Sequence, residues 1–218
     1  AKLTVIIPFY QKEPGILTLA LTSVFSQRFK DFDIIVVDDE SPYPADGDIV
    51  GFSDEERSRI RIVRQENAGP GGARNTGLDN VVAETRFVAF LDSDDTWTPD
   101  HLAVAEDAMT RFGADCYFAS ITGGDAFYYH FGVADLERTE AVERLSDDPL
   151  LIEIPGLTQV MLKNWSFLHL SCMVIGRPLI ETVRFDAALR LAAEDVLYFC
   201  DCVLAARRVV LSGAAGAV

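Results

Sequence analysis

The sequence RFVAFLDSDD, residues 86–95, joins an apolar run to a cluster of acids. Residues 86–91 are typical of a buried strand, and Asp92, Asp94 and Asp95 follow it directly. Two unit charges about 4 Å apart, at an effective dielectric constant near 20, repel each other by about 4 kcal/mol. We therefore expect a positive charge, from the protein or from a ligand, to lie beside these carboxylates.

The first half of the chain alternates predicted strands with predicted helices. The strands are residues 3–8, 33–37, 60–63, 86–91 and 116–121, and the helices are residues 14–27, 71–82 and 99–112. Thr98 stands where it would cap the last of these helices, with Pro99 in its first turn. This alternation predicts an α/β fold, with a mostly parallel sheet covered by helices on both faces.

The second half is less regular. Residues 123–149 mix glycine, aromatic and acidic residues without a clear period, which predicts loops and short elements. Further strands are predicted at 150–154, 167–175 and 209–211, and helices at 155–164, 178–183 and 192–206. The chain ends just after the last strand, in GAAGAV. We therefore expect a single domain that is truncated at its C-terminus.

Composition limits the classes of function. The 218 residues are 49% hydrophobic, which suits one domain with a real core. The formal net charge of -15 argues against a nucleic-acid backbone as partner. The N-terminus lacks the layout of a secretion signal, and the four cysteines lie in apolar runs, as reduced core thiols do. These features predict a cytoplasmic protein.

Acids follow the strands at three places. Asp38 and Asp39 come directly after residues 33–37, Asp92 opens the cluster after residues 86–91, and Glu194–Asp195 opens the helix of residues 192–206. Ligands of open α/β sheets bind beyond the carboxyl ends of the strands. Acids at one strand end are often only solubilising, but three such clusters in one chain favour a binding site.

A glycine-rich loop, NAGPGGARNTG at residues 67–77, lies between the first two clusters. It lacks the Gly-Lys-Ser/Thr ending of a Walker loop, and a dinucleotide fingerprint would need glycine where Arg74 stands. The loop is either a turn that lets the next helix pack closely, or a helix N-terminus that faces a diphosphate together with Arg74.

Five motifs together resemble family 2 glycosyltransferases of the GT-A fold. They are PFYQ (8–11), VVDDES (36–41), NAGPGGARNTGL (67–78), FLDSDD (90–95) and AAEDVLYF (192–199). The resemblance runs from Val5 to about Asp201. It implies a Rossmann-like domain over residues 1–218, with a nucleotide-sugar-binding half at 1–115 and an acceptor-binding half at 116–218. The segments FYQKEPGI and DDESPYPA more narrowly resemble glucosyltransferases of bacterial succinoglycan-type exopolysaccharide assembly.

The resemblance implies transfer of a sugar from a UDP-sugar with inversion at the anomeric carbon, and its narrower form favours glucose as that sugar. Asp39, with Asp38 as the near alternative, would hydrogen-bond uracil. Pro8, Phe9 and Tyr10 would wall the nucleotide, with Tyr10 able to stack on it. Donor-binding residues on the loop and the acid cluster would be Gly72, Arg74, Asp92 and Ser93.

Asp92 and Asp94 match the family's DxD motif. Asp94 would ligate Mn²⁺ or Mg²⁺, and Asp92 would reach the ribose or the metal; such a cation would relieve the repulsion within the cluster. Asp95 is interpreted as the start of a helix. Asp195 would be the general base that deprotonates the acceptor hydroxyl, and Glu194 would contact the acceptor or hold the base. No histidine follows Asp195, so the remaining metal ligands are phosphates and water or lie beyond this sequence.

The acceptor is expected to be a saccharide or a lipid-linked saccharide, and a lipid-linked acceptor would bring the protein to the cytoplasmic face of the inner membrane. Trp165 and the aromatic residues 127–131 are candidates for the acceptor pocket, with core packing as the alternative. His101 is predicted at the surface, and His130 and His169 are predicted to be structural. The oligomeric state stays open.

Two other functions are also compatible with the sequence. One is a nucleotide-sugar-binding protein without turnover, and the other is a sugar-nucleotidyltransferase. The latter usually carries its glycine-rich loop directly after the first strand, whereas this chain has PFYQKEPG there.

Overall fold

The computed structural model describes residues 1–122, 132–190 and 193–218. Its strands are β1 (Leu3–Phe9), β2 (Phe32–Asp38), β3 (Ile60–Arg64), β4 (Phe87–Phe90), β5 (Cys116–Ile121), β6 (Glu143–Asp147), β7 (Leu150–Glu153), β8 (Met173–Gly176) and β9 (Val209–Ala217). Its helices are α1 (Ile16–Phe25), α2 (Asp46–Ile49), α3 (Asp54–Ser58), α4 (Gly69–Asp79), α5 (His101–Phe112), α6 (Val133–Thr139), α7 (Leu157–Lys163), α8 (Arg177–Thr182) and α9 (Glu194–Ala205), with a 3₁₀ turn at Leu170–Cys172.

The strands form one sheet in the order β3-β2-β1-β4-β8-β5-β9-β7-β6. The first four strands are parallel to one another. Strand β8 is antiparallel to both of its neighbours, and the pair β5 and β9 is again parallel. The predicted α/β fold is confirmed, with a wholly parallel half formed by β1 to β4 and a mixed half formed by the other strands. The carboxyl ends of β1, β2 and β4 therefore meet at one edge.

The sheet buries apolar side chains on both faces. Along β1, Val5 and Ile7 pack into one cluster with Leu17 of α1, while Ile6 packs into the other cluster with Phe90. Successive side chains of a strand point to opposite faces, so a strand covered on both sides is apolar throughout. The helices thus hold the strand ends, and the acids that follow them, in fixed positions.

Two predictions about the start of α5 were wrong. The helix begins at His101 after Asp100, and Thr98 does not cap it; the Thr98 hydroxyl instead donates to the carbonyl of Ala215, 2.6 Å away. His101, predicted at the surface, is buried because β9 continues to Ala217 and passes over it. A Cβ on Gly216 would lie 2.5 Å from Nδ1 of His101, so only glycine fits there. Burial lowers the pKa of His101 to about 3.

Other second-half predictions were partly correct. The strand predicted at 167–175 begins only at Met173, after the 3₁₀ turn. The region predicted as loops and short elements contains α6 and β6, while residues 123–131 lie outside the described residues. All four cysteines are free, as predicted. None of the helices in the described ranges has the length and apolar character needed to span a lipid bilayer.

Candidate functional site

A cavity of about 380 Å³ lies at the carboxyl ends of β1, β2 and β4. Its lining includes most of the predicted donor-binding residues and several others: Pro8, Phe9, Tyr10, Asp39, Asn67, Gly69, Pro70, Ala73, Arg74, Asp92, Ser93, Asp94 and Arg190. Four predicted residues, Asp38, Gly72, Glu194 and Asp195, are not part of this lining. The three acidic clusters therefore contribute to the site in different ways.

The carboxylate of Asp38 accepts hydrogen bonds from the turn that follows β2. Its Oδ1 accepts the backbone N–H of Ser41 at 2.9 Å, and its Oδ2 accepts that of Ala45 at 3.0 Å. The side chain is buried. These bonds give Asp38 a structural role in the turn, since both of its oxygens accept backbone N–H groups outside the cavity.

Asp39 joins the cavity to the glycine-rich loop. Its side chain is 3% exposed. Oδ1 accepts from Nε2 of Gln65 at 2.6 Å and from the backbone N–H of Ala68 at 2.8 Å, and Oδ2 accepts from that of Gly69 at 2.9 Å. Because each carboxylate oxygen has about two acceptor sites, Oδ2 keeps one site for a further donor. Asp39 thus fixes the start of α4 and can still bind a ligand N–H.

The acids within residues 92–95 have different bonding partners in the fold. Oδ1 of Asp92 accepts from Nη2 of Arg74 at 2.5 Å. Oδ2 of Asp95 accepts from the Ser171 hydroxyl at 2.6 Å and lies 3.8 Å from Nδ1 of His169, while burial raises the pKa of Asp95. The interpretation of Asp95 as a helix start was wrong, since α5 begins only at His101.

Asp94 differs from both neighbours. It is exposed at the cavity, and no hydrogen bond or ion pair reaches its carboxylate from any residue in the described ranges. The positive charge expected beside the cluster is therefore supplied to Asp92 by Arg74, while Asp94 keeps both oxygens for a ligand.

Arg74 connects the acid cluster to the third acidic pair. It is 4% exposed, and its Nη1 donates to Oε1 of Glu194 at 3.2 Å, in addition to the bond from Nη2 to Asp92. Its guanidinium carbon lies 5.4 Å from the centre of the Phe185 ring, within cation–π range. A Cβ on Gly71 would lie 3.3 Å from Cβ of Phe185, so the glycine lets these elements meet.

Glu194 and Asp195 form the first turn of α9. Oδ1 of Asp195 accepts the backbone N–H of Val196 at 2.8 Å, and the side chain is half-buried. A carboxylate at a helix N-terminus is stabilised by the helix dipole. Arg74 lines the cavity and donates to Glu194, so it connects the cavity to this pair.

Three further predicted residues have clear positions. Tyr10 lines the cavity with 49% of its surface exposed, as a side chain free for stacking would be. The Ser93 hydroxyl accepts from Nε2 of Gln11 at 3.1 Å. Trp165 is 45% exposed and does not line this cavity. The aromatic residues 127–131, with His130, lie outside the described residues.

Arg190 lines the cavity although no motif in the sequence pointed to it. Its Nη2 donates to the backbone carbonyl of Asn67 at 2.5 Å and to Oδ1 of the same residue at 2.8 Å. The contact joins residues 123 positions apart in the sequence, so no local pattern could have revealed it.

The donor set suits a hard divalent cation only in part. No group of three or more His, Cys, Asp or Glu side chains in the described ranges is arranged to hold a metal. Asp94, however, presents a carboxylate without a protein partner beside Asp92, whose Oδ2 makes no hydrogen bond within those ranges. Two carboxylates fit a Mn²⁺ or Mg²⁺ ion whose other ligands are phosphate oxygens and water.

The sequence model of glycosyl transferase family 2 matches residues 4–184. Succinoglycan biosynthesis protein ExoW of Rhizobium meliloti (strain 1021) is 71% identical over 218 residues, which is 100% of this chain and 68% of that protein. The chain thus spans about two thirds of the length of this relative.

Two solved structures share the fold. S. aureus TarS 1-349 in complex with UDP-GlcNAc superposes with a TM-score of 0.72 at 24% identity, over 100% of this chain and 58% of that one. The mannosyltransferase PcManGT from Pyrobaculum calidifontis, in complex with GDP-Man and Mn²⁺, gives a TM-score of 0.65 at 15% identity, over 98% of this chain and 56% of that one. At these identities the likeness concerns the fold alone.

Proposed function

The chain belongs to glycosyltransferase family 2, and from this premise we propose that it transfers a sugar from a UDP-sugar to a saccharide or lipid-linked saccharide acceptor. We assign the reaction to bacterial exopolysaccharide assembly, with glucose as the donor sugar. One observation carries the proposal: Asp39, Asp92 and Asp94 meet at one cavity, and Arg74 ties that cavity to the Glu194–Asp195 pair.

The nucleotide binds at the end of the cavity formed by Asp39 and Tyr10. The one acceptor site left on Oδ2 of Asp39 suits the imide N–H of uracil, since the other sites already accept from the protein. The exposed ring of Tyr10 gives the base a surface for stacking, and Pro8 walls the same side. The TarS structure holds UDP-GlcNAc, which agrees with a UDP-sugar as donor.

The diphosphate lies beside Asp94 and Asp92. These carboxylates would hold the divalent cation, and Arg74 keeps Asp92 in place by its bond to Oδ1. When bound, such a cation stabilises the negative charge that develops on the leaving UDP. Support for manganese comes from PcManGT, which shares the fold and is in complex with Mn²⁺.

Asp195 is the general base. It removes the proton from the acceptor hydroxyl as the hydroxyl oxygen forms its bond to the anomeric carbon. The bond from that carbon to the diphosphate oxygen breaks on the opposite side, and UDP leaves with the bonding electrons. This single displacement turns an α-linked donor into a β-linked product. Glu194, whose Oε1 accepts from Arg74, would contact the acceptor or hold the base.

The proposed base can be tested with Asp195→Asn and a matched control. Asp201→Asn changes an exposed carboxylate on the same helix, away from the pair. With Mn²⁺, UDP-glucose and an oligosaccharide acceptor, Asp195→Asn should bind UDP normally and transfer about 10²- to 10⁴-fold more slowly. Asp201→Asn should behave as wild type. Wild-type turnover of Asp195→Asn would disprove the assignment, and binding of UDP by the wild-type protein without turnover would indicate a non-catalytic sugar-nucleotide-binding protein.

A further inference from the structure

Two cations line the cavity among the described residues, and they differ in what they bind. Arg74 is buried and donates to two carboxylates, those of Asp92 and Glu194. Its positive charge is therefore already balanced within the protein. Arg190 is exposed and donates only to neutral acceptors, both on Asn67.

No carboxylate in the described part of the chain neutralises the charge of Arg190. No carboxylate in the described ranges lies within ion-pair distance of its guanidinium, and its Nε and Nη1 make no hydrogen bond there. A guanidinium carries five N–H donors in a planar fork that matches phosphate oxygens. Arg190 thus keeps N–H donors and an unbalanced positive charge for an anion, whereas two carboxylates balance the charge of Arg74.

Arg190 lies against the loop that begins α4. Cβ of Arg190 lies 3.6 Å from the point that a Cβ on Gly69 would occupy, and the N–H of Gly69 binds Asp39 at 2.9 Å. The guanidinium of Arg190 donates to Asn67. The next residue, Ala68, donates its backbone N–H to Asp39. Arg190 therefore lies over the start of α4 and lines the same cavity as Asp92 and Asp94.

We propose that Arg190 binds the diphosphate of the donor, exchanging its bonds to Asn67 for the phosphate oxygens. The inference rests on the proposed function and adds a residue to it. Three carboxylates line the cavity, Asp39, Asp92 and Asp94, and an arginine there without a carboxylate partner in the described ranges offers a diphosphate a second positive charge beside the divalent cation. Arg190 also lies four residues before Glu194 in the sequence.

The test compares uridine, UMP and UDP as ligands in calorimetric titrations with Mn²⁺ at fixed ionic strength. Arg190→Gln should bind UDP about 10- to 100-fold more weakly than wild type, the range for a lost charge-assisted hydrogen bond. Uridine, which lacks phosphate, should bind equally to both proteins. Arg190→Lys should fall between them, because it keeps the charge but not the planar fork.

Arg61→Gln serves as the control, since it removes one exposed positive charge from β3. The guanidinium of Arg61 donates to Asn80, outside the cavity, so this variant should bind all three ligands as wild type does. If wild type binds UDP and Arg190→Gln binds it equally well, the inference is wrong. An equal loss for uridine and UDP would also overturn it, because Arg190 would then act only through the Asn67 loop. Failure of wild type to bind UDP would instead remove the proposed function, and the inference with it.

Discussion

Two of the three acidic clusters follow β2 and β4, the strands on either side of β1, and their carboxylates have different partners in the fold. The first acidic cluster, Asp38–Asp39, is buried, and its carboxylates accept mainly from backbone N–H groups. The second acidic cluster, Asp92–Asp95, is bound by side chains from distant parts of the chain, and Asp94 has no protein partner in the described ranges.

This difference separates the contribution of Asp38 to stability from the contribution of Asp94 to ligand binding. A buried carboxylate that accepts backbone N–H groups satisfies donors that would otherwise be costly to bury. An exposed carboxylate beside other acids adds little to stability and repels its neighbours until a cation binds. We therefore expect substitutions in the first cluster to lower the free energy of unfolding, and substitutions of Asp94 to lower activity.

The largest effect is expected for Asp94→Asn. Loss of one of two carboxylates for the divalent cation should lower turnover by about 10³-fold or more, since such a cation contributes several kcal/mol to the transition state. The free energy of unfolding should change by less than about 0.5 kcal/mol, because the side chain is exposed. Steady-state UDP release and urea unfolding measure the two quantities. A loss of stability without a loss of activity would show that Asp94 holds the fold and does not bind the ligand.

Asp38→Ala should show the opposite behaviour. It leaves the N–H groups of Ser41 and Ala45 without their acceptor, which should lower the free energy of unfolding by about 2–3 kcal/mol. Asp33→Ala, an exposed acid on the same strand, is the matched control and should change it by less than about 0.5 kcal/mol. Urea unfolding of both variants decides the point. Equal stabilities would mean that the first cluster does not hold the fold.

Acid conditions probe the scaffold beneath the two clusters. His101 has a pKa of about 3 in the fold because it is buried, against about 6.5 when unfolded. Below about pH 6.5 the unfolded chain binds a proton that the folded chain does not, so stability falls by about 1.4 kcal/mol per pH unit. The loss should reach about 2 kcal/mol at pH 5.

The measurement is urea unfolding of wild type and His101→Gln at pH 7 and pH 5. The variant should lose much less stability between the two pH values, even if it is less stable at pH 7. An unchanged pH dependence in the variant would assign the loss to groups other than His101.

The smallest effect concerns the base of the nucleotide. Asp39 has one acceptor site left, so it should favour uracil, whose N3 carries a hydrogen, over cytosine, whose N3 is an acceptor. UDP should bind about 10-fold more tightly than CDP, the worth of roughly one hydrogen bond. Competition between the two nucleotides in a calorimetric titration measures this ratio. Equal affinities would place the base away from Asp39.

Local sequence patterns predicted the strands and acids that build the cavity. The apolar runs ending at Asp38 and Asp92 were sufficient, because burial of a strand on both faces leaves a clear signal in sequence. The sequence left open which of Asp38 and Asp39 faces the cavity. The fold resolves this, since Asp38 is consumed by the turn at Ser41 and Ala45.

The errors arose where distant segments meet. Thr98 and His101 were interpreted from their own neighbourhood, but β9 returns over both of them, with Ala215 bonded to Thr98. Arg190 was missed for the same reason, because its partner Asn67 lies far away in the sequence. Contacts of this kind depend on the path of the chain, which no local period records.

Binding of Mn²⁺ in the presence of UDP, followed by electron paramagnetic resonance, tests the central claim most directly. The claim is that Asp94 keeps its carboxylate free to hold a cation together with the donor diphosphate. Wild type should bind Mn²⁺ much more tightly with UDP than without it, and Asp94→Asn should lose most of that gain. Equal gains in wild type and Asp94→Asn would contradict the claim.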